Sequence, residues 1–260
     1  MTRLLPALLA LLIAAGCSHT SATPDASAVV PARWEGSRQM VVVTVPDWNA
    51  IHGRMQRYER MQGNDAWHPV GTPQPVVIGR NGAAWGLGLH PAQANGPQKR
   101  EGDGRAPAGV FSLGDAFGYA ERVTTGLPYR PMTRSHWCMD VAASPLYNRI
   151  VDAAEVGEAA VAGSSEPMRL DLHSNGSQSY REGFVIEHNA GNVPGMGSCI
   201  FAHLWKTPDT PTAGCTAMAE TSMGPLLGWL REDAYPVFVL LPQAEYARLA
   251  RQWSLPEAPR

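Results

Sequence analysis

Two side chains twelve positions apart carry the most reactive chemistry in this 260-residue sequence: His203 and Cys215, in the stretch 197–218, GSCIFAHLWKTPDTPTAGCTAM. A thiolate is a strong nucleophile, and an imidazole can take its proton and later return it to a leaving group. Thr212-Ala213-Gly214-Cys215 reads as a tight glycine turn running into a helix. Backbone N–H groups and the helix dipole are therefore expected to lower the thiol pKa. The N–H groups around Gly214 and Cys215 are candidates for an oxyanion hole. His203 ends a short strand, and the turn-forming run 206–211 is expected to bring the chain back so that the imidazole reaches the thiol. The pair alone is equally compatible with a buried structural cysteine.

The elements that must position this pair are mostly strands. Residues 40–45 (MVVVTV) form a β-branched run, expected to be a buried strand, and 76–78 a second one closed by the turn cluster 79–82. Residues 85–90 (WGLGLH) alternate large and small, as in a strand crossing close to another backbone. The charged run 96–109 reads as a loop and 110–113 as a strand after it. Residues 153–165 read as an exposed insertion or weak helix. Further strands are expected over 183–189, 199–203 and 236–241, and helices over 225–232 and 243–253. With 26 Gly and 22 Pro, this is a pattern of short strands and few helices, mainly β or α+β. The net charge of -2 and 44% hydrophobic content exclude a disordered chain and argue against a nucleic-acid partner.

Residues 1–17 read as targeting. Arg3 precedes the apolar run 4–15, which falls short of the roughly 20 residues that span a bilayer. The ending Ala14-Ala15-Gly16-Cys17 resembles a bacterial lipoprotein signal, which implies cleavage before Cys17 and its lipidation; a plain secretory signal is the alternative. Ser18 after the cysteine points, by the usual sorting rule, to the outer membrane, so the expected location is the periplasm with membrane contact through the lipid anchor only. Residues 18–35 are then a flexible tether, 36–253 the catalytic domain and 254–260 a tail. Three cysteines remain in an oxidising compartment, so at least one thiol is free. Cys138 and Cys199 form a possible disulfide or remain two buried thiols. No CxxC or HExxH spacing occurs and the histidines are scattered, so no metal is expected, and a Cys thioester mechanism needs no cofactor.

Residues 197–218 resemble the catalytic segment of the L,D-transpeptidase (YkuD-type) family, where a strand-end His precedes a loop and [Ser/Thr]-His-Gly-Cys. Thr212, Gly214, Cys215 and Met218 match, and 104–111 (GRAPAGVF) resembles the family's Lys-Thr-Pro-x-Gly-x-Phe turn and strand. The resemblance is to a divergent branch with a TAGCTAM motif and covers roughly residues 40–241. Ala213 replaces the family's His, Thr216-Ala217 replace a frequent Arg, and Leu204 stands where Gly often follows the catalytic His. The resemblance implies a YkuD-like domain of mixed β-sheets with few short helices. It makes Cys215 the nucleophile, His203 the acid/base, the Gly214 backbone part of the oxyanion site and the Leu204 backbone oxygen the orienter of His203. Candidate substrate contacts are His188, Ser198, Thr212, Thr216 and Arg105, with Lys99, Arg100 and Trp205 nearby; core or solvated-loop roles are the alternative. The implied reaction is acyl transfer between peptidoglycan stem peptides through a Cys thioester, forming L,D cross-links, with an envelope protein as another possible acceptor. Hydrolysis by the same pair (an L,D-carboxypeptidase or amidase) and a catalytically inert wall-binding lipoprotein are the alternatives.

Overall fold

The computed structural model describes residues 34–62 and 65–259. The expected signal, its Cys17 and most of the expected tether lie outside the described residues. In chain order the strands are β1 (Gln39–Val45), β2 (His52–Glu59), β3 (His68–Val77), β4 (Ala83–Trp85), β5 (Ala106–Gly118), β6 (Tyr129–Pro131), β7 (His136–Cys138), β8 (Ile150–Asp152), β9 (Glu166–Pro167), β10 (Glu182–Ile186), β11 (Phe201–Leu204), β12 (Thr216–Met218) and β13 (Val237–Pro242). The helices are α1 (Ala153–Val156), α2 (Leu170–His173), α3 (Glu220–Trp229) and α4 (Gln243–Leu249), with 3-10 turns at Glu158–Val161 and Glu232–Ala234. The protein is mainly β, and no helix among the described residues is long and apolar enough to cross a membrane.

The large sheet runs β10-β11-β12-β3-β2-β1-β13-β5, and β5 pairs back onto β10, so these strands close into a mixed barrel. β1 and β13 pair in parallel and are buried along their whole length, as expected of apolar runs covered on both faces. β5 makes the closure possible. Its residues 109–112 pair with β13 and its residues 113–118 with β10, so one long strand serves two neighbours in succession. Gly109 has φ +138°, and a Cβ there would lie 1.9 Å from the His90 ring, so a side chain is excluded where β5 passes that ring. The register between β10 and β5 shifts between Phe184 and Ile186, next to the point where β5 changes partner.

A second sheet, β8-β7-β9, packs on the outside of β10–β12. Strand alternation divides β11 between two cores. Ala202 and Leu204 join the large core, while Phe201 packs with Met132, Cys138, Met168, Tyr180 and Cys215 in a small cluster beneath the second sheet. The disulfide Cys138–Cys199 ties β7 to the chain just before β11.

Several boundaries differ from expectation. The strand expected over 85–90 is limited to β4, while β2 and most of β3 were not anticipated. The helix expected over 225–232 starts earlier, at Glu220, and stops at Trp229. Trp34, assigned to the tether, is buried, and its indole N–H donates to Trp253 O at 3.1 Å. The expected tail is pinned to the body: the Tyr58 and Tyr246 hydroxyls donate to the carbonyls of Glu257 (2.6 Å) and Pro256 (2.9 Å).

Candidate active site

β11 and β12 run parallel, with His203 opposite Ala217. Cys215 stands in the bend just ahead of β12, two residues before Ala217, and its thiol faces the same cleft as the imidazole. Both line one cleft of about 380 Å³, together with Tyr180 and Glu166. Each is less than 10% exposed.

The turn that carries Cys215 is held by its own side chains. Thr212 Oγ1 donates to Cys215 O at 2.6 Å and accepts from Gly214 N–H at 3.1 Å. Thr212 N–H donates to Ile78 O at 2.9 Å, and Arg80 N–H to Thr212 O at 2.9 Å, which fixes the turn to the end of β3. A Cβ on Gly214 would lie 3.0 Å from Arg105 O, so the glycine lets the 104–109 segment support the turn from behind. Gly214 N–H therefore has a partner in the resting site, in place of the open oxyanion donor expected from the sequence.

The helix expected to follow Cys215 is a strand, β12, and α3 begins only at Glu220. The expected lowering of the thiol pKa does not occur. Burial, reinforced by the Glu166 carboxylate, pushes the Cys215 thiol up to about 12, against the opposing pull of Phe201 N–H, which donates to Sγ at 3.3 Å, and of Lys99 and Tyr180. Burial likewise pushes His203 down to about 4. His203 Nδ1 lies 2.8 Å from Leu204 O; a carbonyl only accepts, so Nδ1 carries the proton and Nε2 is left with its lone pair. The resting pair is a neutral thiol beside a neutral imidazole poised to accept a proton. The fraction of thiolate therefore rises tenfold per pH unit. Iodoacetamide labelling of Cys215, followed by mass spectrometry between pH 7 and 10, is expected to rise with that slope and show no plateau; a plateau near pH 7 would mean a thiolate–imidazolium resting pair.

The other expected contacts separate into two groups. Ser198 and Thr212 line the cleft, Ser198 Oγ donating to Glu101 at 2.7 Å. His188, Thr216 and Arg105 do not line it. His188 is buried with both ring nitrogens engaged: Nδ1 accepts from Leu87 N–H at 3.2 Å, and Nε2 donates to Met196 O at 2.9 Å. Thr216 falls on the opposite face of β12 from Ala217, as strand alternation requires. Arg105 braces the loops, its guanidinium donating to Trp48 O, Ala83 O and Asn49 Oδ1. Lys99 lines the cleft but is committed to Asp103 at 2.5 Å. The cations free of ion pairs among the described residues at this cleft are Arg80 and Lys206.

Sequence reasoning missed Glu166 and Tyr180. The Tyr180 hydroxyl donates to Glu166, and its ring sits edge-on to His203 with centroids 5.1 Å apart. It is thus wedged between the carboxyl group, the thiol and the imidazole. The polar run 138–152, for which no role follows from the sequence, frames the same cleft. Asn148 Oδ1 accepts from Cys199 N–H at 2.9 Å, the Tyr147 hydroxyl donates to Glu101, and Asp140 faces the cavity.

The chain matches no family model, no curated protein and no solved structure.

Glu166 gives that cleft a measurable signature. Burial raises its carboxyl to about 7, against the lowering effect of the Tyr180 hydrogen bond. An unfolded Glu loses its proton near 4.5. Between these values the folded state binds more protons, so stability falls as pH rises from 4.5 through 7. Glu166→Gln removes that loss and keeps an acceptor for Tyr180. The variant is expected to be more stable than wild type at pH 8, by about 1–3 kcal/mol, and level with it near pH 4.5. Urea unfolding at the two pH values measures this, and a variant no more stable at pH 8 contradicts it.

Proposed function

We propose that this protein is a cysteine acyltransferase of the cell envelope: an L,D-transpeptidase with a YkuD-like catalytic domain, acting on peptidoglycan stem peptides and anchored by lipid at the outer membrane. The observation that carries the reading is that His203 on β11 and Cys215 in the bend just ahead of β12 line one cleft, with the imidazole Nε2 unprotonated. The sequence resemblance supplies the substrate class.

In the proposed cycle, Cys215 Sγ attacks the carbonyl carbon of an L-residue whose amide nitrogen belongs to a D-residue. The thiol proton passes to His203 Nε2, and the carbonyl oxygen becomes an oxyanion. Because both groups are neutral at rest, proton transfer accompanies attack. Collapse breaks the C–N bond, His203 protonates the departing amine and a thioester remains. The amine of a second stem attacks the thioester, His203 takes its proton, and the C–S bond breaks with return of that proton to sulfur. The Leu204 carbonyl holds Nδ1–H and stabilises the imidazolium that forms twice in the cycle. Arg80 and Lys206 supply positive charge for the carboxylates of a stem peptide.

The test is incubation of the purified protein with disaccharide-tetrapeptides, with products read by mass spectrometry. Cross-linked dimers with release of the terminal D-residue are the expected result. Shortened monomers would mean that water is the acceptor. Unchanged substrate with both wild type and Cys215→Ala would overturn the enzymatic reading.

A further inference from the structure

A second depression, of about 670 Å³, opens beside the catalytic cleft and shares Ser179, Trp205 and Lys206 with it. One wall is the polar turn 174–179 (SNGSQS), which contributes hydroxyl and amide groups and no charge. The charges at its end, Arg181 and Glu220, are paired with each other. Trp205 stands at the junction of the two cavities. Its backbone is fixed by donation from Trp205 N–H to Met218 O at 2.9 Å, its side chain is half-buried, and its indole N–H has no protein acceptor among the described residues. An aromatic face supplies apolar area for the C–H face of a sugar ring, while amides and hydroxyls match its hydroxyl and acetamido groups. Lys206, at the junction with the catalytic cleft, is the one unpaired charge among the described lining residues, so the groove has little to offer a polyanion or an apolar helix.

We propose that this groove binds the uncharged glycan strand to which the stem peptide is attached, with Trp205 as the stacking platform. The choice of an amino-sugar polymer rests on the wall-peptide reading above; the presence of a carbohydrate site does not. Such a site lets one molecule be held at two points, the sugar in the groove and the peptide branch passing Trp205 toward Cys215.

The probe is the β-1,4-linked tetramer of N-acetylglucosamine, added to the whole protein and followed by saturation-transfer NMR. Saturable binding with transfer to the acetamido methyl and ring protons is expected. Trp205→Ala is expected to weaken it at least tenfold. Gln178→Trp, on the exposed turn, is expected to fill the groove and weaken it to a similar extent, and cooperative unfolding of each variant shows that the fold is intact. The absence of transfer with wild type, or binding as tight as wild type in both variants, overturns the proposal. So does displacement of the tetramer by a sugar-free stem peptide with no effect of Gln178→Trp on that peptide, since the tetramer would then lie in the catalytic cleft. The tetramer carries no acyl group. Failure here leaves acyl transfer standing, and loss of acyl transfer in Cys215→Ala leaves this binding unchanged.

Discussion

Cys215→Ser is expected to lower acyl transfer from a disaccharide-tetrapeptide by at least about 10³-fold while changing unfolding stability by no more than about 1 kcal/mol. The serine hydroxyl fits the space and can still accept from Phe201 N–H, so the variant separates chemistry from folding. An alkoxide is far harder to generate than a thiolate, and His203 is already a weak base in its buried position, pushed down to about 4. His203→Gln is expected to cause a loss of the same order. The double variant should be little worse than either single one, because the two groups act as a unit. Product assay by mass spectrometry, alongside urea unfolding, decides the matter. A Cys215→Ser protein keeping more than about a tenth of wild-type turnover removes the sulfur from the mechanism.

Loss of the Cys138–Cys199 bond is the second large effect. The bond closes a loop spanning 61 positions, which corresponds to about 4 kcal/mol of stabilisation in the chain-entropy account. Its position magnifies the consequence. Asp140 and Glu166 reach the cleft from segments adjoining or within the second sheet, and Cys199 lies next to Ile200 in the cleft wall. The double variant Cys138→Ala, Cys199→Ala is therefore expected to lose about 2–4 kcal/mol of stability and, under conditions where it stays folded, most of its turnover. Urea unfolding and the product assay measure the two effects, and hydrogen exchange should show β7–β9 losing protection first. Full turnover in the folded double variant would mean that the second sheet plays no part in shaping the site.

The β-rich class was readable because β1 and β13 are uninterrupted apolar runs buried on both faces, a local signal that survives folding. β2 and β3 gave no such signal. β2 reads HGRMQRYE, a polar run of mixed burial, and β3 contains Pro69, Pro73 and Pro75. Those prolines are tolerated because only Val76 and Val77 of β3 have a partner on the second side. The partner exchange of β5 depends on distant strands and has no local signature. At the site, Cys215 and His203 could be singled out by residue type and by the Gly turn between them. Glu166 and Tyr180 could not, since they come from a different sheet and a different loop and meet the pair only in three dimensions. The direction of the thiol's pKa was misjudged for a related reason. The residues after Gly214-Cys215 carry a helical pattern, whereas the chain continues as β12 and the sulfur lies beside Tyr180, out of water.

That seclusion bears on endurance. Peroxides and other oxidants consume cysteines as thiolates, beginning with the sulfenic acid, and a sulfur kept protonated and covered presents almost none. Cys215, the free cysteine among the described residues, is thus shielded at rest, and its nucleophilic character emerges only when the neighbouring imidazole draws the proton away.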